Sequence, residues 1–192
     1  MKKIFSFDAE TNGLWGKAWA IGALVYNENG IEIFRFLARL PDSVVTDSWV
    51  REHGSLAAMA GVQVTHDTYE AMLADFAQFY MANKTDADII VHMGVPVEAG
   101  LLRDMHDAGF IGDFDGPYPL MDVSGNLQQF GEDPTSVDGY LKKYKLSIGE
   151  VEGGTHNPLY DSAVAAAVYQ HLMLRLEDEQ KASIRRDANR MF

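Results

Sequence analysis

The first part of the chain alternates between apolar stretches and short polar turns, a pattern typical of successive β-strands. Apolar residues dominate positions 2–9, 18–27 and 31–39, and the tetrapeptide Asn-Glu-Asn-Gly at 27–30 separates the last two stretches. An Asn-Gly pair in such a linker favours a hairpin, because both residues tolerate the positive φ of tight turns. The pattern therefore predicts three antiparallel strands.

The apolar spacing then becomes helical. We expect a helix over 46–60 with Thr46 or Asp47 as its N-cap. Asp67 and Glu70 are spaced as in a capping box, so a second helix should begin there. Its apolar residues recur on one stripe, as helix periodicity requires: Tyr69, Met72, Leu73, Phe76 and Tyr80.

The rest of the chain alternates strand and helix patterns. We expect strands over 87–92 and 119–123, a helix that begins near Pro96 and contains 98–106, a helix that begins at Asp133-Pro134, and a long final helix with Asn157 as N-cap and Pro158 as its first residue. These elements predict an α/β fold in which a mixed sheet is flanked by helices. A single domain over 1–192 is expected, with 175–192 as a C-terminal helical extension.

Composition narrows the chemistry. The 192 residues are 47% apolar, which is enough for a core, and no stretch approaches the roughly 18 apolar residues of a membrane span. Neither a signal peptide nor a membrane partner is expected, and the favoured location is cytoplasmic. Because the chain has no cysteine, metal ligands must be oxygen or imidazole, which favours Mg²⁺ or Mn²⁺.

The net charge of -12 argues against tight binding of long nucleic-acid duplexes, which usually requires a basic face. An enzyme that holds only a few nucleotides at a chain end needs little phosphate neutralisation. The acidity therefore still allows a protein that trims 3′ ends.

Two distant segments carry the candidate chemistry. Asp8 and Glu10 are two residues apart at the end of the first apolar run, so on a strand they share one face. Carboxylates this close repel each other, and a divalent cation is the usual remedy. Near the other end of the chain, His156 precedes Asp161 by five residues across a predicted helix start. Carboxylates and a histidine at one site indicate metal-assisted hydrolysis of phosphodiesters.

These segments resemble the motifs of the DEDD superfamily of 3′–5′ exonucleases, in its histidine (DEDDh) subfamily with an RNase-H-like fold. The sequence from Asp8 to Leu14 matches the first motif, D-x-E-T-x-G-L, and the segment 156–163 matches the third. The middle motif departs from the family pattern, because Val97 stands where an aspartate is usual. Glu98, one residue later, is the nearest carboxylate, and we assign it to that role.

The resemblance implies a five-stranded mixed sheet and a two-metal site. Asp8, Glu10, Glu98 and Asp161 would hold two Mg²⁺ or Mn²⁺ ions, and His156 would act as the general base. The implied reaction is hydrolysis of single-stranded RNA or DNA from the 3′ end to nucleoside 5′-monophosphates. No residue decides between the two substrates, and RNA is favoured because a chain of this size suits a stand-alone trimming enzyme.

In similar enzymes the residues after the first motif contact the terminal nucleotide, which implies a substrate-binding role for Thr11, Gly13, Leu14 and Trp15. An alternative remains open in which the chain is a catalytically weakened relative that binds nucleic-acid ends or a protein. The sequence also leaves a homodimer open.

Overall fold

The three predicted opening strands are present as β1 (Lys3–Thr11), β2 (Ala18–Tyr26) and β3 (Glu32–Arg39). The computed structural model describes residues 2–190, with side chains described as far as 183. Two further strands, β4 (Ala87–Val91) and β5 (Leu120–Asp122), complete a single sheet in the order β3-β2-β1-β4-β5.

Strand directions place the chemistry at one edge of this sheet. β1, β2 and β3 pair antiparallel, whereas β4 pairs parallel to β1, and β5 pairs parallel to β4. The sheet is therefore mixed, with its first three strands antiparallel, as predicted. Because β1, β4 and β5 run in the same direction, their carboxyl ends meet at the same edge.

Helices cover both faces of the sheet. On one face, α3 (Tyr69–Asn83) and α4 (Val97–Asp107) enclose a core of aromatic and aliphatic side chains from β1 and β2. On the other face, α6 (Val137–Tyr144) and the long α7 (Pro158–Arg190) bury a second apolar cluster. This two-sided burial explains why every residue of β2 is buried.

The structure corrects the helix predicted over 46–60. Two short helices, α1 (Ser48–Glu52) and α2 (Ser55–Ala58), stand in its place. Gly54 between them has φ 102°, a left-handed conformation that interrupts helical hydrogen bonding. Asp47 is the N-cap of the first of these helices, and its side chain accepts a hydrogen bond from the N–H of Val50.

Three other features differ from the prediction. α6 begins at Val137, with Ser136 as its N-cap, and not at Asp133-Pro134. α3 is capped by Thr68, whose hydroxyl accepts from the N–H of Ala71, so the proposed capping box does not form. A helix that was not predicted, α5 (Val123–Gln129), follows β5 directly and is capped by Asp122.

At the other end, α7 continues unbroken through 175–190, and positions 191 and 192 of the predicted extension lie outside the described residues. The assignment of the whole chain to one domain stays a prediction. Within residues 2–190, no helix combines the length and hydropathy needed to cross a bilayer.

Candidate active site

The end of β1 presents the first two carboxylates. β1 extends through Glu10 to Thr11, two residues beyond the predicted strand, so Asp8 and Glu10 both lie on regular strand backbone. Asp8 is paired with Gly22 of β2 and Glu10 with Ala20. Their shared strand and spacing place both carboxylates on one face.

Gly22 allows the start of α7 to reach this face. A Cβ atom at Gly22 would lie 2.3 Å from the backbone nitrogen of Leu159, a distance that atoms cannot adopt. Only glycine therefore lets the first turn of α7 pack directly against β2, opposite Asp8 on the neighbouring strand. Asp161 lies in that first turn.

Two buried serines hold the helix in this position. The hydroxyl of Ser162 shares its one proton between the carbonyl oxygens of Gly22 and Pro158, and the hydroxyl of Ser6 on β1 donates to the carbonyl oxygen of Ser162. Both serines are fully buried. Asn157 also caps the helix as predicted, because its Oδ1 accepts from the N–H of Leu159.

As a result, Asp8, Glu10 and Asp161 form one carboxylate cluster, which offers three oxygen atoms within 4.8 Å of one another. Burial, followed by the charges of Glu98, Asp161 and Glu10, raises the pKa of Asp8 well above its usual range. Burial, with the charges of Glu10 and Asp138, raises the pKa of Asp161 to about 7. The negative charges of these three carboxylates are not compensated by the protein, so the cluster suits a divalent cation that binds oxygen ligands.

Glu98 is buried beside the cluster, in the first turn of α4. It is 3% exposed, and its Oε1 accepts a hydrogen bond from the N–H of Ala9 at 3.1 Å. The ladder between β1 and β4 has ended before Ala9, so Glu98 satisfies a backbone donor that β4 does not reach. Glu98 is not one of the three residues that converge within 4.8 Å, but its charge acts directly on Asp8.

Three other carboxylates on β4 and α4 have different partners. Asp88 accepts from the hydroxyl of Tyr169, Asp104 accepts from the hydroxyl of Tyr69, and Asp107 pairs with His106.

Burial, together with the charges of Asp122 and Glu10, raises the pKa of Glu98 to about 8, although its bonds to backbone N–H groups oppose this.

Asp122 positions the turn that precedes α4. Its carboxylate accepts from the N–H groups of Met93, Gly94 and Ser124 at 2.9–3.0 Å. Burial would raise its pKa, but these hydrogen bonds outweigh burial and hold the pKa below its usual range. The turn it fixes leads directly into Glu98.

His156 lies beside Glu10 and Asp161 of the cluster. Its Nδ1 is 3.6 Å from Oε1 of Glu10, and its backbone N–H donates to Oδ2 of Asp161 at 2.8 Å. The residue has φ 73°, a left-handed conformation that is uncommon outside glycine. Interaction with Glu10 raises the pKa of His156, although burial opposes the shift.

The four predicted substrate-binding residues lie at the end of β1, where Thr11 is the last strand residue, and in the loop that follows it. Thr11 donates its hydroxyl proton to the carbonyl oxygen of Gly13, which has φ 69°. Leu14 is 67% exposed and Trp15 is 84% exposed. Such exposure leaves both apolar side chains free to contact a ligand, and both line a cavity against α4.

Sequence reasoning missed four residues that build the site. Gly22 could have been found from the sequence, because a glycine inside an otherwise apolar strand often marks a place where another backbone segment packs closely. Asp122 precedes a helix, as an N-cap does. Ser6 and Ser162 carry no such signal, because their partners are distant in the chain.

No protein-family model matches this chain, and no curated protein matches it. Its fold, however, recurs in solved structures. One of them, exonuclease X in complex with 5′ overhanging duplex DNA, is 18% identical, with a TM-score of 0.60 over 90% of this chain and 92% of that chain.

Two other solved structures show the same architecture. A full-length 3′-exonuclease is 11% identical, with a TM-score of 0.61 over 90% of this chain, which spans 60% of that protein. A 3′-exonuclease described in 3′-end specific recognition of histone mRNA stem-loop is 10% identical, with a TM-score of 0.58 over 92% of this chain and 82% of that chain. At these identities the likeness establishes a shared fold.

Proposed function

We propose that this protein is a metal-dependent 3′–5′ exonuclease of the DEDDh type, which releases nucleoside 5′-monophosphates from single-stranded nucleic acid. The observation that carries the proposal is the convergence of Asp8, Glu10 and Asp161 within 4.8 Å. Strand β1 and helix α7 bring these carboxylates together in a fold that solved exonucleases share.

The donor set suits Mg²⁺ or Mn²⁺, because it consists of carboxylate oxygens only. Asp8, Glu10 and Asp161 would hold the first ion, and Glu98 beside Asp8 would support the second. When bound, such ions lower the pKa of an attacking water and stabilise charge on the phosphoryl and leaving oxygens.

The protein side chains supply the proton transfer and the contacts to the substrate. His156 lies 3.6 Å from Glu10, within reach of a water beside the carboxylates, and in its neutral form it accepts the proton of that water. The exposed ring of Trp15 offers a stacking surface for a base, an interaction that needs no positive charge. Stacking suits a protein whose net charge is -12.

Matched RNA and DNA oligomers, labelled at the 5′ or the 3′ end and incubated with Mn²⁺, test the proposal. We expect mononucleotides to be released from the 3′ end of both the RNA and the DNA oligomer, and a chelator should stop this release. RNA is the favoured substrate, and comparison of kcat/KM for the two oligomers tests that preference. Release of fragments longer than one nucleotide, or release of nucleotides from the 5′ end, would overturn the proposal.

A second candidate is a catalytically weakened relative that binds nucleic-acid ends or a protein. The position of Glu98 favours this candidate, because its carboxylate lies outside the cluster of three and bonds to the N–H of Ala9. Thermal melting distinguishes the two functions. A working site gains stability from Mn²⁺, since the ion binds only the folded protein, whereas a bare scaffold does not respond.

A further inference from the structure

His156 lies in a tight turn whose backbone conformation is unusual for its side chain. The carbonyl oxygen of Gly154 accepts from the N–H of Asn157 at 3.0 Å, which closes a β-turn over 154–157 (the His156 turn). His156 is the third residue of this turn and has φ 73°, whereas glycine or asparagine is usual at a position with positive φ. Such a conformation persists only when the surrounding structure enforces it.

The anchor on the inner side of the His156 turn is also a candidate metal ligand. The N–H of His156 donates to Oδ2 of Asp161 at 2.8 Å. Asp161 belongs to the carboxylate cluster with Asp8 and Glu10, and a bound metal would engage the same carboxylate. A second anchor outside the cluster would keep the turn in place whichever oxygen of Asp161 the metal engages.

Asp138, in the first turn of α6, reaches the outer side of this segment. Its Oδ1 accepts from the hydroxyl of Tyr160 at 3.1 Å. The hydroxyl of Thr155 lies 3.5 Å from its Oδ2, a longer and weaker contact. Thr155 directly precedes His156, and Tyr160 is the residue before Asp161. Asp138 therefore connects α6 to both ends of the segment that carries the candidate base.

The charge of Asp138 acts on the site although Asp138 is not one of the three converging carboxylates. Burial, followed by the charge and the hydrogen bond of Asp138, raises the pKa of Tyr160, so the hydroxyl of Tyr160 remains a donor. After burial and the charge of Glu10, the charge of Asp138 contributes to the raised pKa of Asp161. The helix dipole favours an acidic residue in a first turn, but it does not account for partners on another segment.

We propose that Asp138 is a positioning residue for His156. Through the hydroxyls of Tyr160 and Thr155, it holds the His156 turn against α6 independently of the metal ligands. The inference rests on the proposed exonuclease function, in which His156 takes the proton of the attacking water. Misplacement of a reacting group by about 1 Å can cost roughly 100-fold in rate, so loss of this anchor should lower kcat.

Kinetics of three variants test the contact. Asp138→Ala removes both acceptors and should lower kcat roughly 10- to 100-fold, whereas KM for the oligomer and the Mn²⁺ concentration for half-maximal rate should not change. Asp138→Asn keeps an oxygen that accepts from Tyr160, so it should retain most of the wild-type kcat. Tyr160→Phe removes the donor and should also lower kcat. Because both changes remove the same contact, the double variant should be no slower than Asp138→Ala alone.

Two kinetic outcomes would overturn the proposal. A higher Mn²⁺ requirement in Asp138→Ala would assign Asp138 to the metal site. Equal losses in Asp138→Ala and Asp138→Asn would show that the negative charge, and not the hydrogen bond, is responsible.

The His156→Ala background distinguishes positioning from a general structural role. If Asp138 acts through the side chain of His156, Asp138→Ala should cause no further loss of the single-turnover rate in that background. The same loss in both backgrounds would show that Asp138 acts on the site by another route, and the assignment would fail.

Hydrogen exchange separates this inference from the proposed function, because it requires no substrate. In chelator, the amide proton of His156 should exchange faster in Asp138→Ala than in the wild type, whereas amides of the buried strand β2 should be unaffected. If exchange changes in this way but the wild type does not hydrolyse oligomers, the exonuclease proposal fails and the anchor stands. If oligomers are trimmed but neither kcat nor exchange at His156 differs in Asp138→Ala, the reverse holds.

Asp133→Ala provides the matched control. Asp133 is an exposed aspartate in the turn before α6, and it accepts from the N–H and the hydroxyl of Thr135 at 2.9 and 2.8 Å. It thus also has two hydrogen-bond donors, but both belong to its own turn. Asp133→Ala should leave kcat and exchange at His156 unchanged. Equal effects of Asp133→Ala and Asp138→Ala would overturn the assignment.

Discussion

Removing one charge from the carboxylate cluster should stabilise the metal-free protein. We expect Asp161→Asn to melt at a higher temperature than the wild type at pH 8 in chelator. The amide retains an oxygen that can accept from the N–H of His156, so the hydrogen bond at 2.8 Å can survive while the charge is lost. Relief of the buried charge, and then of repulsion from Glu10, is the physical cause.

The magnitude follows from the pKa of Asp161, which rises from 3.8 to about 7. A shift of about 3 units corresponds to about 4 kcal/mol, since each unit is worth about 1.4 kcal/mol. Burial is the largest cause of that shift, and the neighbouring carboxylates share the rest, so we expect a gain of roughly 1–3 kcal/mol from one substitution. In a domain of this size that gain raises Tm by roughly 3–10 °C.

The sign of the pH dependence tests the cause. Because the pKa of Asp161 is higher in the folded state, its contribution to stability is fully present below about pH 4 and is lost as pH rises towards 7. The advantage of Asp161→Asn should therefore be full at pH 8 and absent at pH 4. Differential scanning calorimetry at both pH values, in chelator, measures it.

Glu28→Gln is the matched control, since it removes one negative charge from an exposed turn. Its Tm should change little, which separates cluster relief from relief of the overall charge of -12. Addition of Mn²⁺ should stabilise the wild type and have much less effect on Asp161→Asn. An unchanged Tm for Asp161→Asn at pH 8, or a gain that persists at pH 4, would refute the reasoning.

Three further predictions concern catalysis. His156→Ala should lower single-turnover rates by roughly 10²–10⁴, the usual contribution of a general base. The wild-type rate should rise with pH through the pKa of His156, which Glu10 raises above 6.5. Loss of Mn²⁺ affinity with an unaltered pH profile would instead identify His156 as a metal ligand. Glu98→Gln, which can still accept from the N–H of Ala9, should lower activity and raise the Mn²⁺ concentration needed for half-maximal rate, and an unchanged metal titration would exclude Glu98 from the metal site. Trp15→Ala should raise KM roughly 5- to 150-fold because a stacked base is worth about 1–3 kcal/mol. An equal KM would show that the ring does not touch substrate.

Local pattern in the sequence was sufficient to predict the strands and most of the helices. The apolar runs around Asp8 and over the two following strands, with an Asn-Gly turn between them, predicted the antiparallel start of the sheet that is present in the structure. Asn157 and Pro158 likewise marked the start of the last helix correctly. These features depend on residues within a few positions of one another, so their signal is contained in the sequence itself.

The sequence also identified which side chains carry the candidate chemistry, although their roles stay predictions. Their spacing within two short segments suggested that Asp8, Glu10, His156 and Asp161 belong to one site. The structure places all four together. For Glu98 the sequence supplied only the nearest carboxylate to an irregular motif.

Tertiary structure alone decided how these parts meet. The close approach of α7 at Gly22, the burial of Glu98 against the N–H of Ala9, and the cavity beside Gly100 all depend on elements far apart in the chain. The helix predicted over 46–60 failed for a related reason, because the left-handed conformation at Gly54 is a backbone choice that apolar periodicity does not report. Periodicity describes how one element faces its surroundings, whereas packing between elements determines which backbone atoms and charges become neighbours.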